Sequence, residues 1–496
     1  MRRILFALIP FLAWAQNQGD PAVFHSSTRL VEMQVTVRNQ RVRPPGVRAA
    51  LVWALDSGPP FGSAGTPVQG LTKDDFVLLD QGKPQRIAIF GTQPVHEKIS
   101  FPLPPGDVSN RTDYRGEPLA GATAVLVDLL NTPWQLSDYA RLGMTELVRT
   151  LKDTQAPIAL YSLGKELHIL HDFTDDPRYL RDAAAHLESH GRLPFDFSTA
   201  LEDYGYPPFD KSWVAAERIT RSALTSVIQH LSGFSGRKSL VWLAQAPRIP
   251  PEMMRRMQQA NIALYPVRVR GLGGFADLEG EVSRELGNAS GGRGFFDARD
   301  LAFAVQAATE DSGSAYVLGY YPDEAILDGK FHRITVKLAD QPLEVHYRSG
   351  YLATKDDVPA TTAKDAANLA ELMESPMNSS GMGLGARAER DTGHQGFYEV
   401  PVTVDLHDVK MERKAGHFVG KLDFAIPGLS SQRNVRTGEV TLNLTDAQLA
   451  SALENGYTFT IKGVEFNDRK ILLVVRDHAT GAAGSLLITL PKESEK

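Results

Sequence analysis

The amino-acid sequence predicts a multidomain α/β-plus-β protein: a doubly wound, mostly parallel sheet set between an N-terminal β unit and a C-terminal β-sandwich. Three observations predict it. Thr123 to Leu130 reads TAVLVDLL, a continuous apolar run suited to a strand covered by helices on both faces. Between residues 122 and 322 such runs alternate with segments of helical spacing, the order of a parallel sheet with crossover helices. On either side, apolar and polar residues alternate in short runs separated by turn residues, as in antiparallel β structure.

The first residues read as an export signal. Arg2 and Arg3 precede an apolar run from Ile4 to Leu12, and Ala13-Trp14-Ala15 places small residues where a signal peptidase reads them. Cleavage is expected between Ala15 and Gln16. The run is far shorter than the ~20 residues that span a bilayer. No later stretch is long and apolar enough, so no transmembrane segment is expected. TRLVEMQVTV, residues 28–37, alternates like a half-buried strand. Strand signals return at Phe76–Leu79 and Arg86–Phe90 around a turn at Asp80–Lys83. Residues 24–95 thus form the N-terminal β unit. Residues 96–121, with Pro102, Pro104, Pro105 and Gly106, read as a linker.

After the strand at 123–130, residues 136–152 have helical spacing, with Tyr139, Leu142, Leu147 and Leu151 on the apolar stripe. Strands at Pro157–Leu163 and Leu167–Phe173 are joined too closely for a parallel crossover and must form an antiparallel hairpin at the sheet edge. Helices at Arg178–Leu187 and Val214–Leu231, a strand at Ser239–Ala244, a helix near 251–260 and a strand at Ile262–Val269 continue the alternation. Another helix precedes a short strand around Phe295–Phe296. Helix Leu301–Thr309 and strand Ala315–Tyr321 close the α/β unit, residues 122–322.

Strands Phe331–Leu338 and Leu343–Tyr347 alternate cleanly, but two strands alone are marginal in water. Residues 330–353 are therefore expected to complete the N-terminal β unit, with the α/β unit inserted between its halves. Residues 354–395 read as a polar linker with one helix near 363–374. From 397 to 490 strand-like runs return at sandwich spacing.

Composition narrows function. The chain has 496 residues, 42% hydrophobic and 23% charged, which fits folded domains and is too long for one core. Without Arg2 and Arg3 it carries 51 basic and 59 acidic residues, a net charge of -8, which argues against nucleic acid as a partner. It has no cysteine, so thiol chemistry and Cys-ligated zinc are excluded.

At the level of motifs the chain resembles the VWFA-related domain family of acidobacterial secreted proteins. TRLVEMQVTV, GLTKDDFVLLDQGKPQRIAIF, AVLVDLLNTP, YVLGYYPDEAILDGKFHRITVKL and GYLA carry the resemblance, in order, from about Phe24 to Ala353. Residues 397–490 lie outside it. The resemblance implies a von Willebrand factor A-type sheet, a domain class that commonly binds Mg²⁺ through Asp-x-Ser-x-Ser at the end of the first strand. The matching positions are Asp128, Leu130 and Thr132. Asp128 offers a carboxylate, Thr132 a hydroxyl and neighbouring Asn131 an amide oxygen, whereas Leu130 offers nothing. Where a further Asp is expected the residues are Ala244, Gln245 and Ala246, and Thr199 is the nearest match to an expected Thr. Asp128, Asn131 and Thr132 are thus candidate ligands of an eroded Mg²⁺ adhesion site, since hard cations need several oxygens. The alternative is that Asp128 hydrogen-bonds backbone groups and holds no metal.

Other motifs are weaker. Gly271-Leu272-Gly273-Gly274-Phe275-Ala276, with Asp297 downstream, matches a dinucleotide fingerprint but follows a late strand, so a Gly-rich loop is the better reading. Gly233-Phe234-Ser235-Gly236 falls one residue short of a nucleophile elbow. His168 and His171 lack a third ligand for zinc. Tyr316, Tyr320 and Tyr321 read as packing residues, and Asp153, Asp175 and Asp176 as loop and helix-end charges. The expected function is non-enzymatic: an exported, periplasmic or extracellular protein binding an unknown protein or surface polymer in adhesion or envelope assembly. The rivals are a hydrolase using Asp196, Glu202, Asp203 and Asp210, and a purely structural envelope protein.

Overall fold

The computed structural model describes residues 30–39, 65–92, 102–111, 121–132, 136–150, 157–189, 209–234, 236–245, 249–269, 278–295, 297–322, 330–339, 343–353, 369, 372–373, 375–428, 431–465 and 470–490. Strands β1 (Val31–Asn39), β2 (Phe76–Asp80), β3 (Lys83–Gln85), β4 (Ile89–Gly91) and β5 (Val108–Ser109) come first. The α/β region runs β6 (Gly121–Asp128), α1 (Ser137–Thr150), β7 (Ile158–Leu163), β8 (Leu167–Thr174), α2 (Pro177–Ser189), α3 (Phe209–Ser232), β9 (Arg237–Ala244), α4 (Pro251–Gln259), β10 (Ile262–Arg268), α5 (Leu278–Ser290) and α6 (Leu301–Ser314). Strands β11 (Tyr316–Tyr320), β12 (Phe331–Leu338), β13 (Leu343–His346) and β14 (Gly350–Leu352) follow. The C-terminal region holds β15 (Leu384–Ala386), β16 (Glu389–Arg390), β17 (Tyr398–Val404), β18 (Glu412–Lys414), β19 (His417–Gly428), β20 (Ser431–Leu444), α7 (Asp446–Asn455), β21 (Tyr457–Val464), β22 (Lys470–Asp477) and β23 (Ala483–Thr489). No helix among the described residues is long and apolar enough to cross a membrane.

The central sheet has the order β10-β9-β6-β7-β8. β10, β9, β6 and β7 are parallel, and β8 returns antiparallel on β7 at the edge, as the short connection demands. Every residue of β6 and β9 is buried, because helices cover both faces. Val125 and Val127 pack with Met144 of α1, Ala184 of α2 and Val305 of α6. Ala124 and Leu126 face Leu224 and Val227 of α3 and Met257 of α4. At ~1.5–3 kcal/mol per fully buried large aliphatic side chain, these two layers are the main stabilising term of this region.

Strand 315–321 departs from expectation. It does not join the parallel sheet; as β11 it pairs antiparallel with β1 and β4. An apolar run signals burial on both faces but not which sheet supplies the neighbours. Two four-stranded sheets, β13-β1-β11-β4 and β14-β12-β2-β3, interleave segments from before and after the α/β region and share one core around Met33, Leu78, Tyr316 and Val336. The expected strand 86–90 begins only at Ile89, as β4, and a separate strand, β3, occupies 83–85. β3 pairs with β2, whereas β4 pairs with β11, so the chain crosses between sheets at buried Ile87.

β1 is a second departure. Its alternation predicts an exposed polar face, yet Gln34, Thr36 and Arg38 are buried with the apolar set. The cover is α6. Arg38 Nε donates to Asp311 Oδ1 at 2.8 Å, and its other nitrogens reach Glu310 and the carbonyls of Gly65 and Ala307. Tyr265 O–H donates to Asp311 Oδ2 at 2.6 Å, and Arg237 donates to Tyr265. Burial opposes ionisation of Asp311, but the charges of Arg38, Arg237 and Arg293 hold its carboxyl below the ordinary range.

The stretches read as linkers also contribute strands. β5, from 96–121, and β15 and β16, from 354–395, join the sheet β16-β17-β15-β5, with β21 on β17. These strands are two or three residues long, below the length at which alternation can be recognised. A second sheet, β18-β19-β22-β23 with β20 on β19, shares their core through Val402, Leu422, Leu442 and Leu473. Of the helix expected near 363–374, only Leu369, Leu372 and Met373 are described.

Candidate functional site

Asp128 is the last residue of β6, at the carboxyl end of the parallel sheet, where open α/β sheets place their ligands. Alternation along β6 sends Asp128 to the same face as Ala124 and Leu126, beneath α3. It is 1% exposed. Asn131 folds back over it: the Asn131 backbone N–H donates to Oδ1 at 2.9 Å, and Nδ2 donates to Oδ2 at 2.7 Å. The same Nδ2 reaches Thr220 Oγ1 on α3 at 3.0 Å. Thr132 Oγ1 donates to the Asp128 backbone carbonyl at 2.6 Å. From β9, Trp242 Nε1 donates to Oδ2 at 2.9 Å. The three candidate residues are therefore brought together, joined by Trp242 and Thr220.

Burial pushes the Asp128 carboxyl up to about 6, against hydrogen bonds from Asn131, Trp242 and the Leu130 backbone that favour the charged form. The donors are neutral, so nothing in the cage supplies a compensating positive charge.

A hard cation asks for converging oxygen atoms. Here N–H groups take both carboxylate oxygens, Trp242 can only donate, and the Thr132 hydroxyl turns its hydrogen onto a carbonyl. The residues present do not fit a Mg²⁺ site. Ala244 adds no oxygen donor; its backbone carbonyl accepts Val269 N–H at 2.9 Å. Among the described residues no three His, Cys, Asp or Glu converge in a way that could hold a metal. Sequence reasoning missed Trp242. A signal existed, because an indole on a fully buried strand needs an acceptor within reach.

The remaining candidates are placed as follows. Ala15, Gln16, Thr199, Asp196, Glu202, Asp203, Asp153 and the Gly271–Ala276 loop lie outside the described residues, as does the side chain of Asp210 in α3. Asp297 caps the short helical turn before α6 by accepting Arg299 N–H at 2.9 Å. Asp176 accepts the Arg178 N–H at 2.9 Å at the start of α2, and the bonds from Arg178 hold its carboxyl at about 2. His171 stacks on Tyr179, and His168 lies on the exposed side of β8. Tyr316 and Tyr320 are core residues, and Tyr320 O–H donates to buried Asp80 at 2.7 Å; Tyr321 is half-exposed. Gly233 lies against Ser380, where an added Cβ would meet its side chain at 2.3 Å, so that glycine serves a close approach.

No family model matches the chain, and no curated protein matches it. Among solved structures it is similar to a von Willebrand factor type A protein from Catenulispora acidiphila, at 11% identity and a TM-score of 0.26, over 58% of this chain and 80% of that one. An aerotolerance-related membrane protein from Bacteroides fragilis matches at 12% identity and a TM-score of 0.25, over 38% and 98%. The von Willebrand factor domain of a type V pilus tip protein from Porphyromonas gingivalis matches at 14% identity and a TM-score of 0.17, over 35% and 49%.

Proposed function

We propose that this chain is an exported, non-enzymatic binding protein whose von Willebrand factor A-type α/β region recognises a protein or surface polymer without a divalent cation. The observation that carries the reading is the closed cage around Asp128. At the carboxyl end of the sheet the carboxylate is committed to Trp242 and Asn131, so it serves neither as a cation ligand nor as an acid or base facing solvent. Recognition then rests on the surface around that strand end, with Asp128 fixing the β6–α1 turn.

The test is capture from the producing cell's solubilised envelope by the immobilised full chain, in Mg²⁺ and in EDTA. The expected result is saturable binding of the same component in both. EDTA-sensitive capture overturns cation independence, and absence of saturable binding overturns the binding role.

A further inference from the structure

His230 sits in the last turn of α3 with 11% of its side chain exposed. Its ring stacks on Phe173 at 5.4 Å between centroids, and Phe173 meets Phe234 edge-on at 4.5 Å. Both ring nitrogens are engaged. Nε2 lies 2.9 Å from Asp172 Oδ1 on β8, and Nδ1 lies 2.6 Å from the backbone carbonyl of Asn378. A carboxylate and a carbonyl only accept. A neutral imidazole has one N–H and satisfies one of them, leaving a lone pair facing the other oxygen. Only the imidazolium, with two N–H groups, makes both bonds.

The Asn378 carbonyl belongs to a segment that ties two regions together. Ser380 N–H donates to the Gln229 carbonyl at 3.2 Å, Ser380 Oγ donates to the His230 carbonyl at 2.6 Å, and Gly233 N–H donates to Ser380 Oγ at 3.0 Å. This segment therefore caps the carboxyl end of α3, where a cationic side chain is also favoured by the helix dipole. On its other side Ser379 exchanges bonds with Ser485 of β23, and Met382 N–H donates to the Ala483 carbonyl at 2.9 Å. Residues 375–382 thus join the α/β region to the C-terminal sheets, and His230 holds the joint.

We propose that His230 is a proton-operated latch between the α/β region and the C-terminal sheets, closed while its ring carries two protons and loosened when it loses one.

The groups facing the ring support one direction of response. From β8 comes Asp172; Tyr161 of β7 reaches the same carboxylate oxygen, at 3.5 Å, and Phe173 N–H donates to it at 2.8 Å. Burial opposes ionisation of Asp172, but the hydrogen bond and charge of His230 leave its carboxyl below the ordinary range. The 375–382 segment presents carbonyls and hydroxyls. Arg111 reaches the Ser380 carbonyl at 3.0 Å and is paired with Asp408 at 2.7 Å and Asp405 at 3.7 Å. Among the described groups facing the ring, His230 is the one whose two protonation states make different numbers of bonds at the joint; His407, 2.8 Å from Asp405, lies further out along the Arg111 network. A joint that favours the imidazolium is strongest where the ring is protonated and weakens as pH rises and the proton leaves.

The test is hydrogen–deuterium exchange on the full chain at about pH 5.5 and about pH 8.5, spanning ordinary histidine titration, with intrinsic rates corrected. The protection of Ser380 and Gly233 amides should fall about tenfold at the higher pH, the cost of one lost hydrogen bond. Protection of β6 and β9 amides should not change. In His230→Gln the pH dependence should vanish. In parallel, ¹⁵N-histidine spectra of the wild-type chain at about pH 5.5 should show two protonated ring nitrogens for His230. A singly protonated ring there, pH-independent protection at Ser380 and Gly233, or wild-type pH dependence in His230→Gln each overturns the latch.

Discussion

Asp128 and Asp311 are both aspartates with about 1% exposure in the same α/β region, and their environments drive them in opposite directions. Asp311 faces three arginines and is held below the ordinary carboxyl range. Asp128 faces an indole N–H, an amide and backbone N–H groups, and is raised to about 6. Buried charge is tolerated where opposite charge is built in. At Asp128 the hydrogen bonds from neutral donors favour the charged form but do not outweigh its desolvation. One aspartate therefore acts as the counter-ion of a joint between β1 and α6. The other acts as the organising acceptor of a turn.

The largest effect expected from breaking this comparison is at Asp311. Asp311→Ala leaves buried Arg38 with the part-exposed Glu310 as its one remaining described carboxylate partner, and should cost about 3–5 kcal/mol by denaturant unfolding of the full chain, because the buried half of the pairing is broken. A loss below about 1 kcal/mol would show that Glu310 alone suffices for Arg38, making Asp311 unnecessary to the joint.

A smaller effect of opposite sign comes from pH. The folded-state value of Asp128 lies above its unfolded value, so the fold prefers it protonated, and its contribution falls as pH rises from about 4 to about 6. Asp128→Asn removes that titration. Relative to wild type, the variant should gain on the order of 3 kcal/mol between those limits, the equivalent of the raised value. Asp311, with its lowered value, loses its contribution only as pH falls through that value in acid. A variant whose stability tracks wild type across the range would erase the distinction between the two sites.

The smallest effect is expected at Trp242→Phe, which keeps most of the ring volume and deletes the indole N–H. It should cost about 1–2 kcal/mol, measured by thermal unfolding, with the midpoint remaining independent of Mg²⁺.

How far the sequence reveals the fold can be argued from particular residues. TAVLVDLL announces β6 because a strand covered on both faces needs no polar residue until its end, and Asp128 marks that end. The β7–β8 hairpin is legible from connection length alone. Alternation in β1 and β12 looks the same in sequence. In β12 the odd face is exposed or half-buried, as at Phe331, Arg333 and Lys337. In β1 the polar residues Gln34, Thr36 and Arg38 are buried, with Arg38 bonded to α6. Periodicity identifies residues that share a face; it cannot say what covers the face, which is a matter of tertiary packing. The same limit hid β5 and β15, strands too short to show a period. At the candidate site, Asp128, Asn131 and Thr132 were legible as a cluster. Their arrangement was not, because Trp242 arrives from a strand more than a hundred residues away.

The most direct test of the cation-independent cage is thermal unfolding of the full-length protein in millimolar Mg²⁺ or Mn²⁺ against EDTA. A ligand that binds only the folded state raises the midpoint in proportion to its saturation. The predicted result is that neither cation nor EDTA moves the midpoint of either protein, wild type or Asp128→Asn, although the two midpoints differ from each other. A saturable rise with either cation, reversed by EDTA and absent from Asp128→Asn, would contradict the assignment of Asp128 to Trp242 and Asn131.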